Sequence, residues 1–167
     1  MPDTRLAVDT NFLLDLARQR EVAHDALEIL RRRLRSTQVV AVPRVCKELA
    51  HKMLNDPDPK QRADARKAMS GMLAWGVRPI DLSDVQADLA EIIANKLRDQ
   101  GIIQWEERHD ALILAEAAML DCQVLVSSDA HLTQADPGRL ALALRACGVS
   151  VVVVLSSRDI VRKFAGR

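Results

Sequence analysis

Aromatic side chains are nearly missing from this chain: two Trp, two Phe and no Tyr in 167 residues. A platform that stacks nucleobases needs several exposed rings, so base stacking is excluded as the main way this protein meets a nucleic acid. An excess of charge of one sign is missing too. Twenty-four Lys and Arg stand against 23 Asp and Glu, a net charge of +1. No global field attracts a polyanion, and any such contact has to come from a local basic patch. The three cysteines, Cys46, Cys122 and Cys147, are far apart and show neither zinc-ligand spacing nor a disulfide framework. They read as small buried hydrophobes in a reducing compartment. Long apolar runs are also lacking. The longest, Val149 to Leu155, is broken by Ser150 and is too short to span a bilayer. No basic and then apolar leader precedes the first strand near Leu6. These absences lead to the expectation of a cytoplasmic protein without membrane contact.

What is present is ordinary for a globular chain: 49% hydrophobic and 28% charged residues, enough for one domain over residues 1–167 with a substantial core. Leu6 to Val8 reads as a short buried strand, followed by a helix over 11–20 and another over 22–35. Ala23, Ala26, Leu27, Leu30 and Leu34 form the apolar stripe of the second helix. Val39 to Val42 is a second buried strand, and Pro43 suits the first turn of a helix running to Leu54. The run Asn55-Asp56-Pro57-Asp58-Pro59 is a break. A helix over 60–73 follows and ends near Gly76, so that 55–76 is a helical elaboration of the domain. Ser83 and Gln86 have capping-box spacing and open a helix with Val85, Leu89, Ile92, Ile93 and Leu97 facing inward, closed by Gly101. A helix over 106–120, a strand over 124–126, a short helix over 140–146, a β-branched strand over 149–155 and a C-terminal helix capped by Ser157 complete the reading. Apolar strands alternating with helices predict an α/β fold with a central, mostly parallel sheet covered on both faces. Ligands of such sheets bind outside the carboxyl ends of the strands.

Four acids stand out against this frame. Asp9 ends the first strand, and Asp129 follows the third after Ser127 and Ser128. Glu48 and Asp110 fall inside helices among apolar or small neighbours. Each has a plain structural reading: a helix cap for Asp9, a surface ion pair with Lys52 for Glu48, a first-turn dipole contact for Asp110, a turn for Asp129. A carboxylate at the end of a buried strand or on the apolar side of a helix is costly unless compensated. Four in one small domain point to a shared compensator, a hard divalent cation with oxygen ligands. Asn11, two residues past Asp9, is placed to orient that carboxylate or a bound water. Asp15 and Glu116 read as acids on solvated or interfacial faces, Asp136 as a turn residue, and His131 as structural. Ser127 and Ser128 have no His/Asp relay, which excludes nucleophilic serine catalysis. The run Arg31-Arg32-Arg33-Leu34-Arg35 is either a solvated face or a phosphate-contacting edge. Lys47, Lys52, Lys60, Arg62, Arg66 and Lys67 are candidates to extend it.

The ordered set Val8-Asp9-Thr10-Asn11, Glu48 in Pro43-Arg44-Val45-Cys46-Lys47-Glu48-Leu49, Asp110 opening an Ala- and Leu-rich helix, and Ser127-Ser128-Asp129 resembles the PIN-domain ribonucleases, VapC-like toxins among them. The resemblance covers most of the chain. It implies a three-layer α/β/α PIN-like fold and a metal-dependent endoribonuclease that prefers single-stranded RNA. It further implies an acidic pocket of Asp9, Glu48, Asp110 and Asp129 that is both catalytic and the site of Mg²⁺ or Mn²⁺, with Asn11 and Ser127 supporting it by hydrogen bonds. Its toxin members bring two more expectations, a small antitoxin partner and homodimers. Two features depart from the family pattern: the extra helix between Asn55 and Gly76, and a final turn, Ser-Ser-Asp-Ala-His-Leu, without the usual aromatic. Two alternatives remain at this point. One is a non-catalytic RNA-binding or scaffold PIN domain. The other is a phosphatase with Asp9 as nucleophile, against which stands Asn11, where a second Asp is needed.

Overall fold

The computed structural model describes residues 4–33 and 36–165. Five strands form one sheet: β1 (Arg5–Val8), β2 (Gln38–Ala41), β3 (Val77–Pro79), β4 (Cys122–Val126) and β5 (Val153–Leu155). Their order is β3-β2-β1-β4-β5, and every pairing is parallel. The apolar runs predict this, because a parallel strand is covered on both faces. In the two strands next to the centre line, Leu6, Ala7, Val8, Leu125 and Val126 are all buried.

Nine helices are described around the sheet: α1 (Thr10–Ala17), α2 (Glu21–Arg33), α3 (Pro43–Asn55), α4 (Pro59–Gly71), α5 (Asp84–Asp99), α6 (Arg108–Met119), α7 (Ala130–Thr133), α8 (Pro137–Ala146) and α9 (Ser157–Phe164). α1 packs on α2, α3 and α4, α6 on α3 and α5, and α9 on α2. No helix among the described residues is long and apolar enough to cross a membrane.

The topology fixes where a ligand belongs. From the central β1 the chain builds outward through β2 and β3, then returns to the other side of β1 to form β4 and β5. The strand order reverses between β1 and β4, and the crevice past their carboxyl ends is the switch point of the sheet. Val8 pairs with Val126 there, and Asp9 N–H donates to Val126 O at 3.0 Å, so the ladder continues into the first residue of the loop. α1 begins at once. Its Phe12, Leu13 and Leu16 are buried, each stabilising the fold by about 2 kcal/mol. The position of Asp9 is therefore set by the core on both sides of it.

Several sequence expectations are corrected. The sequence pattern marks no strand over 77–79, where β3 forms. It is an edge strand of three residues with only Val77 buried and Pro79 at its end, so it lacks the apolar run that marks the inner strands. The last strand is shorter than the expected 149–155. Only Val153–Leu155 pairs, and only with β4. In α5 the buried residues are Ala90, Ile93, Ala94 and Leu97. Val85, Leu89 and Ile92 lie outward, at 69%, 44% and 53% exposure. The helix is apolar over a wide arc, and its alanine edge is the one that lets α6 approach closely. The last helix is capped by Ser156, in a capping box with Asp159, and not by Ser157. Asp136 is the N-cap of α8. Leu34 of the α2 stripe and Arg35 of the basic run lie outside the described residues.

Candidate active site

Asp9 is the N-cap of α1 and 3% exposed. One carboxylate oxygen, Oδ1, accepts from Phe12 N–H at 2.8 Å. The other, Oδ2, accepts from the Ser127 hydroxyl. Capping and site placement are thus served by different oxygens of one side chain. Burial pushes the acid up to about 7. The Ser127 and Phe12 hydrogen bonds oppose that rise, and the charges of Asp110 and Asp129 add to it.

Ser127 follows β4 and is fully buried. Its Oγ also accepts from Asp129 N–H at 3.0 Å. One hydroxyl therefore ties the loop after β4 to the end of β1. Asp129 caps α7 through Oδ1 and His131 N–H at 2.8 Å, and Asn11 Nδ2 stands 3.5 Å from its Oδ2. α7 itself is a single turn that periodicity does not reveal. Its His131 reaches Glu107 at 3.4 Å across the cleft rim.

Asp110 enters from the first turn of α6. Its Oδ2 is buried and has no hydrogen-bond partner. Burial pushes this carboxyl up to about 7, followed by the charges of Asp129, Glu107 and Glu48, with His131 opposing them. Glu48 enters from the middle of α3, where Thr10 Oγ donates to its Oε2. The expected ion pair of Glu48 with Lys52 is not formed. Lys52 turns to Asp56 at 3.3 Å, one turn further on, and Glu48 has Arg44 Nε at 3.9 Å instead.

Asp9, Glu48, Asp110 and Asp129 line one cleft of about 710 Å³, together with Asn11. Ser127 lies behind Asp9 and does not line it. Four acids from four separate segments of the chain thus meet at the switch point. Sequence reasoning passed over several other lining residues: Thr10, Arg44, His51, Glu107 and His109. Arg44 and His51 were legible as the helical neighbours of Glu48, four before and three after. Thr10 adjoins Asp9, and His109 adjoins Asp110. Of the two faces open to Glu116, solvated or interfacial, it takes the interfacial one and is buried. Its Oε2 accepts from Arg44 N–H at 2.7 Å at the start of α3, and burial raises its carboxyl. Its work is to hold the first turn of α3 against α6.

The donor set is all carboxylate oxygen, which suits hard divalent cations. The unpartnered Asp110 Oδ2 is an acceptor lacking its donor or cation. Among the described residues, no three Asp, Glu, His or Cys side chains close on one point as a finished coordination shell. A Mg²⁺-like ion tolerates that, since it keeps several waters and binds through one or two carboxylates. The residues fit such an ion.

No protein-family model and no curated protein matches the chain. A solved structure is similar in fold: the crystal structure of VapBC2 from Rickettsia felis bound to a DNA fragment from their promoter. A chain of that structure superposes with a TM-score of 0.63 at 14% identity, over 92% of this chain and 98% of its own length. The fold is PIN-like. At that identity the likeness is one of architecture.

Proposed function

We propose that this protein is a PIN-type, metal-dependent endoribonuclease that hydrolyses single-stranded RNA, with Asp9, Glu48, Asp110 and Asp129 as its carboxylates. The observation that carries the reading is the buried, unpartnered Asp110 Oδ2 in a cleft where Asp129, Glu107 and Glu48 all raise its charge cost. A chain that leaves acids in that condition lacks a cation its own residues do not supply. Asp9, Asp110, Glu48 and Asp129 would hold Mg²⁺ or Mn²⁺. When bound, such an ion activates water and offsets the charge that develops on a phosphate under in-line attack.

The chain's own part is positional. Phe12 N–H and Ser127 fix both oxygens of Asp9, and Thr10 fixes one oxygen of Glu48. His131 N–H and Asn11 orient Asp129. Without a cation, Asp110 keeps its proton close to neutral pH. The Asp9-nucleophile phosphatase is not supported, because Asn11 stands two residues on, where that chemistry needs a second Asp. The scaffold reading draws on the missing closed shell and remains the rival.

The architecture shared with the VapBC2 complex supports a small antitoxin partner, and hence the toxin of a toxin–antitoxin pair. The outward apolar residues Val85, Leu89 and Ile92 support contact with a second copy or with that partner. The free thiols of Cys46, Cys122 and Cys147 accord with a cytoplasmic setting.

The test is cleavage of a panel of structured and single-stranded RNAs in Mg²⁺, Mn²⁺ or EDTA, with the Asp9→Asn, Asp110→Asn double variant as control. Metal-dependent cleavage absent from the variant is the expected result. Cleavage that EDTA or the variant leaves intact, or none under any metal, overturns the reading in favour of the binding module.

A further inference from the structure

Charge is divided across the cleft. On one wall stand Glu107, Asp110 and Asp129. On the other, α3 presents Arg44, Lys47, Glu48, His51 and Lys52, residues three and four apart and hence on one helical face. From Arg44 to Lys52 this row runs for about 12 Å, longer than a single phosphate. Glu48 lies within it, and Asp56 at its far end pairs with Lys52 at 3.3 Å.

Arg44 is the member next to the acids. Its backbone is anchored by the buried Glu116. Its Nη2 meets His109 Nε2 at 3.3 Å, and its Nε is buried with no hydrogen-bond partner. Two buried polar atoms on facing helices thus lack a hydrogen-bond partner, Asp110 Oδ2 on α6 and Arg44 Nε on α3, the latter 3.9 Å from Glu48 Oε1. A guanidinium offers a planar fork of donors matched to phosphate oxygens.

Arginines elsewhere in the fold are already engaged, as Lys52 within the row is by Asp56. Arg31 donates to Ala74 O, Arg32 pairs with Glu28, and Arg33 donates to Phe164 O. Arg18 and Arg20 pair with Asp64 and Asp15. The described arginines of the basic run are thus engaged within their own side of the fold, while the row on α3 adjoins the acids.

We propose that the sugar–phosphate backbone of a single-stranded RNA lies along α3, with Arg44 holding the phosphate beside the acids and Lys47, His51 and Lys52 holding the phosphates beyond it. This rests on the ribonuclease reading above and adds a strand path to it. The acids of the opposite wall repel a phosphate chain, so the strand on either side of the scissile bond has to keep to α3. Recognition is of the backbone, since the row holds no Trp, Tyr or Phe for bases to stack on. Affinity should accordingly be salt-dependent and nearly indifferent to base identity.

The experiment is steady-state cleavage of oligouridylate and oligoadenylate by the full chain in Mn²⁺. It is paired with fluorescence anisotropy of the same labelled strands on the Asp110→Asn protein across a KCl series. The triple variant Lys47→Gln, His51→Gln, Lys52→Gln should raise KM about tenfold on both strands with kcat retained, and lower the salt slope of binding by about 1.4. Arg44→Met should lower kcat as well as raise KM, and Arg44→Lys should recover KM more than kcat. Thermal melts check that each variant folds, and Lys47→Arg with Lys52→Arg, which keeps the charge, should restore KM.

The control is Lys60→Gln with Lys67→Gln, on the separate concavity beside α4. An equal effect from that pair would reduce the result to general surface charge and overturn the path. So would an unchanged KM and salt slope in the triple variant, while cleavage by the parent protein left the nuclease reading standing. No cleavage and no binding of RNA by the parent would remove both readings together.

Discussion

Asp64 and Asp9 are both buried carboxylates, 7% and 3% exposed, and the chain treats them in opposite ways. Asp64, inside α4, accepts from Arg18 Nε at 2.8 Å, and the same guanidinium donates to Gln61 at 2.6 Å. That network joins the end of α1 to α4 and is complete within the chain. Asp9 receives only neutral donors, a backbone N–H and a hydroxyl, and the charges it feels most are those of two further acids. Both arrangements come from one small fold, so the lack of a cationic partner for Asp9 is no general shortage of arginine. An acid whose work is cohesion is neutralised by its own chain. An acid kept for a ligand is left exposed to the cost of its charge.

The sharpest break of that contrast is a pair of isosteric changes. Asp110→Asn should reduce cleavage by about a thousandfold, since metal-held charge stabilisation amounts to several kcal/mol, and should raise the metal-free melting temperature by removing an uncompensated charge. Asp64→Asn should do the reverse. It leaves Arg18 without its carboxylate, at a cost of about 2 kcal/mol, which lowers the melting temperature by about 4–8 °C, and it leaves cleavage in place. Calorimetry and a cleavage assay on the two variants decide it. If both shift stability in the same direction, the distinction between the two regions fails.

Divalent metal extends the contrast. Mn²⁺ at a hundred times its dissociation constant should stabilise the fold by about 2.7 kcal/mol, a rise of roughly 5–10 °C. The rise should vanish in Asp110→Asn and persist in Asp64→Asn. An unchanged melting point in saturating Mn²⁺ would count heavily against the site.

Acidity gives a smaller but signed effect. Asp9 and Asp110 are both raised from 3.8 to about 7, so between those values the folded chain binds more protons than the unfolded chain. The stability this contributes is fully present below pH 3.8 and is lost as the pH rises through about 7. In EDTA, the melting temperature of the parent protein should fall relative to that of Asp9→Asn, Asp110→Asn over this window. Metal binding has to displace those protons, so Mn²⁺ affinity should rise across the same range. A difference between parent and variant that does not move with pH would contradict both statements.

Much of this site was legible before any fold was described, for a physical reason. An acid ending an apolar strand, or set among alanines in a helix, violates binary patterning, and such violations concentrate where a ligand compensates them. Asp9, Asp110 and Asp129 show that signature plainly, and β1, β2 and β4 announce themselves as apolar runs. What escaped was set by tertiary partners. Val77 to Pro79 pairs as an edge strand with a single buried residue, so no period marks it. α5 has two apolar lines, and only the approach of α6 decides that Ala90 and Ala94 go inward while Val85 and Ile92 do not. Whether Glu116 took a solvated or an interfacial face was open because its partner, the Arg44 N–H, lies 72 positions away in sequence. Lys52 could have paired with Glu48 or Asp56, both four residues off, and spacing alone does not choose between them.

The finest test of the open region is Ser127→Ala, which removes a neutral support and no charge. Ser127 donates to Asp9 and accepts from Asp129 N–H, so its loss frees two acids at once while leaving all four carboxylates in place. A hydrogen bond to the charged form of an acid lowers its pKa, and the bond from Ser127 lowers that of Asp9. Without it, Asp9 should hold its proton to higher pH, and the acid limb of the pH–rate profile should move upward. Loss of one buried hydrogen bond of this kind costs about 1–2 kcal/mol, so cleavage at neutral pH should fall by about tenfold and recover in part under more alkaline conditions. Ser127→Thr keeps the hydroxyl and should keep the profile. If Ser127→Ala lowers the rate equally at every pH, the serine holds the loop in shape without tuning Asp9. The acidity of that carboxyl would then be governed by burial and by its acidic neighbours alone.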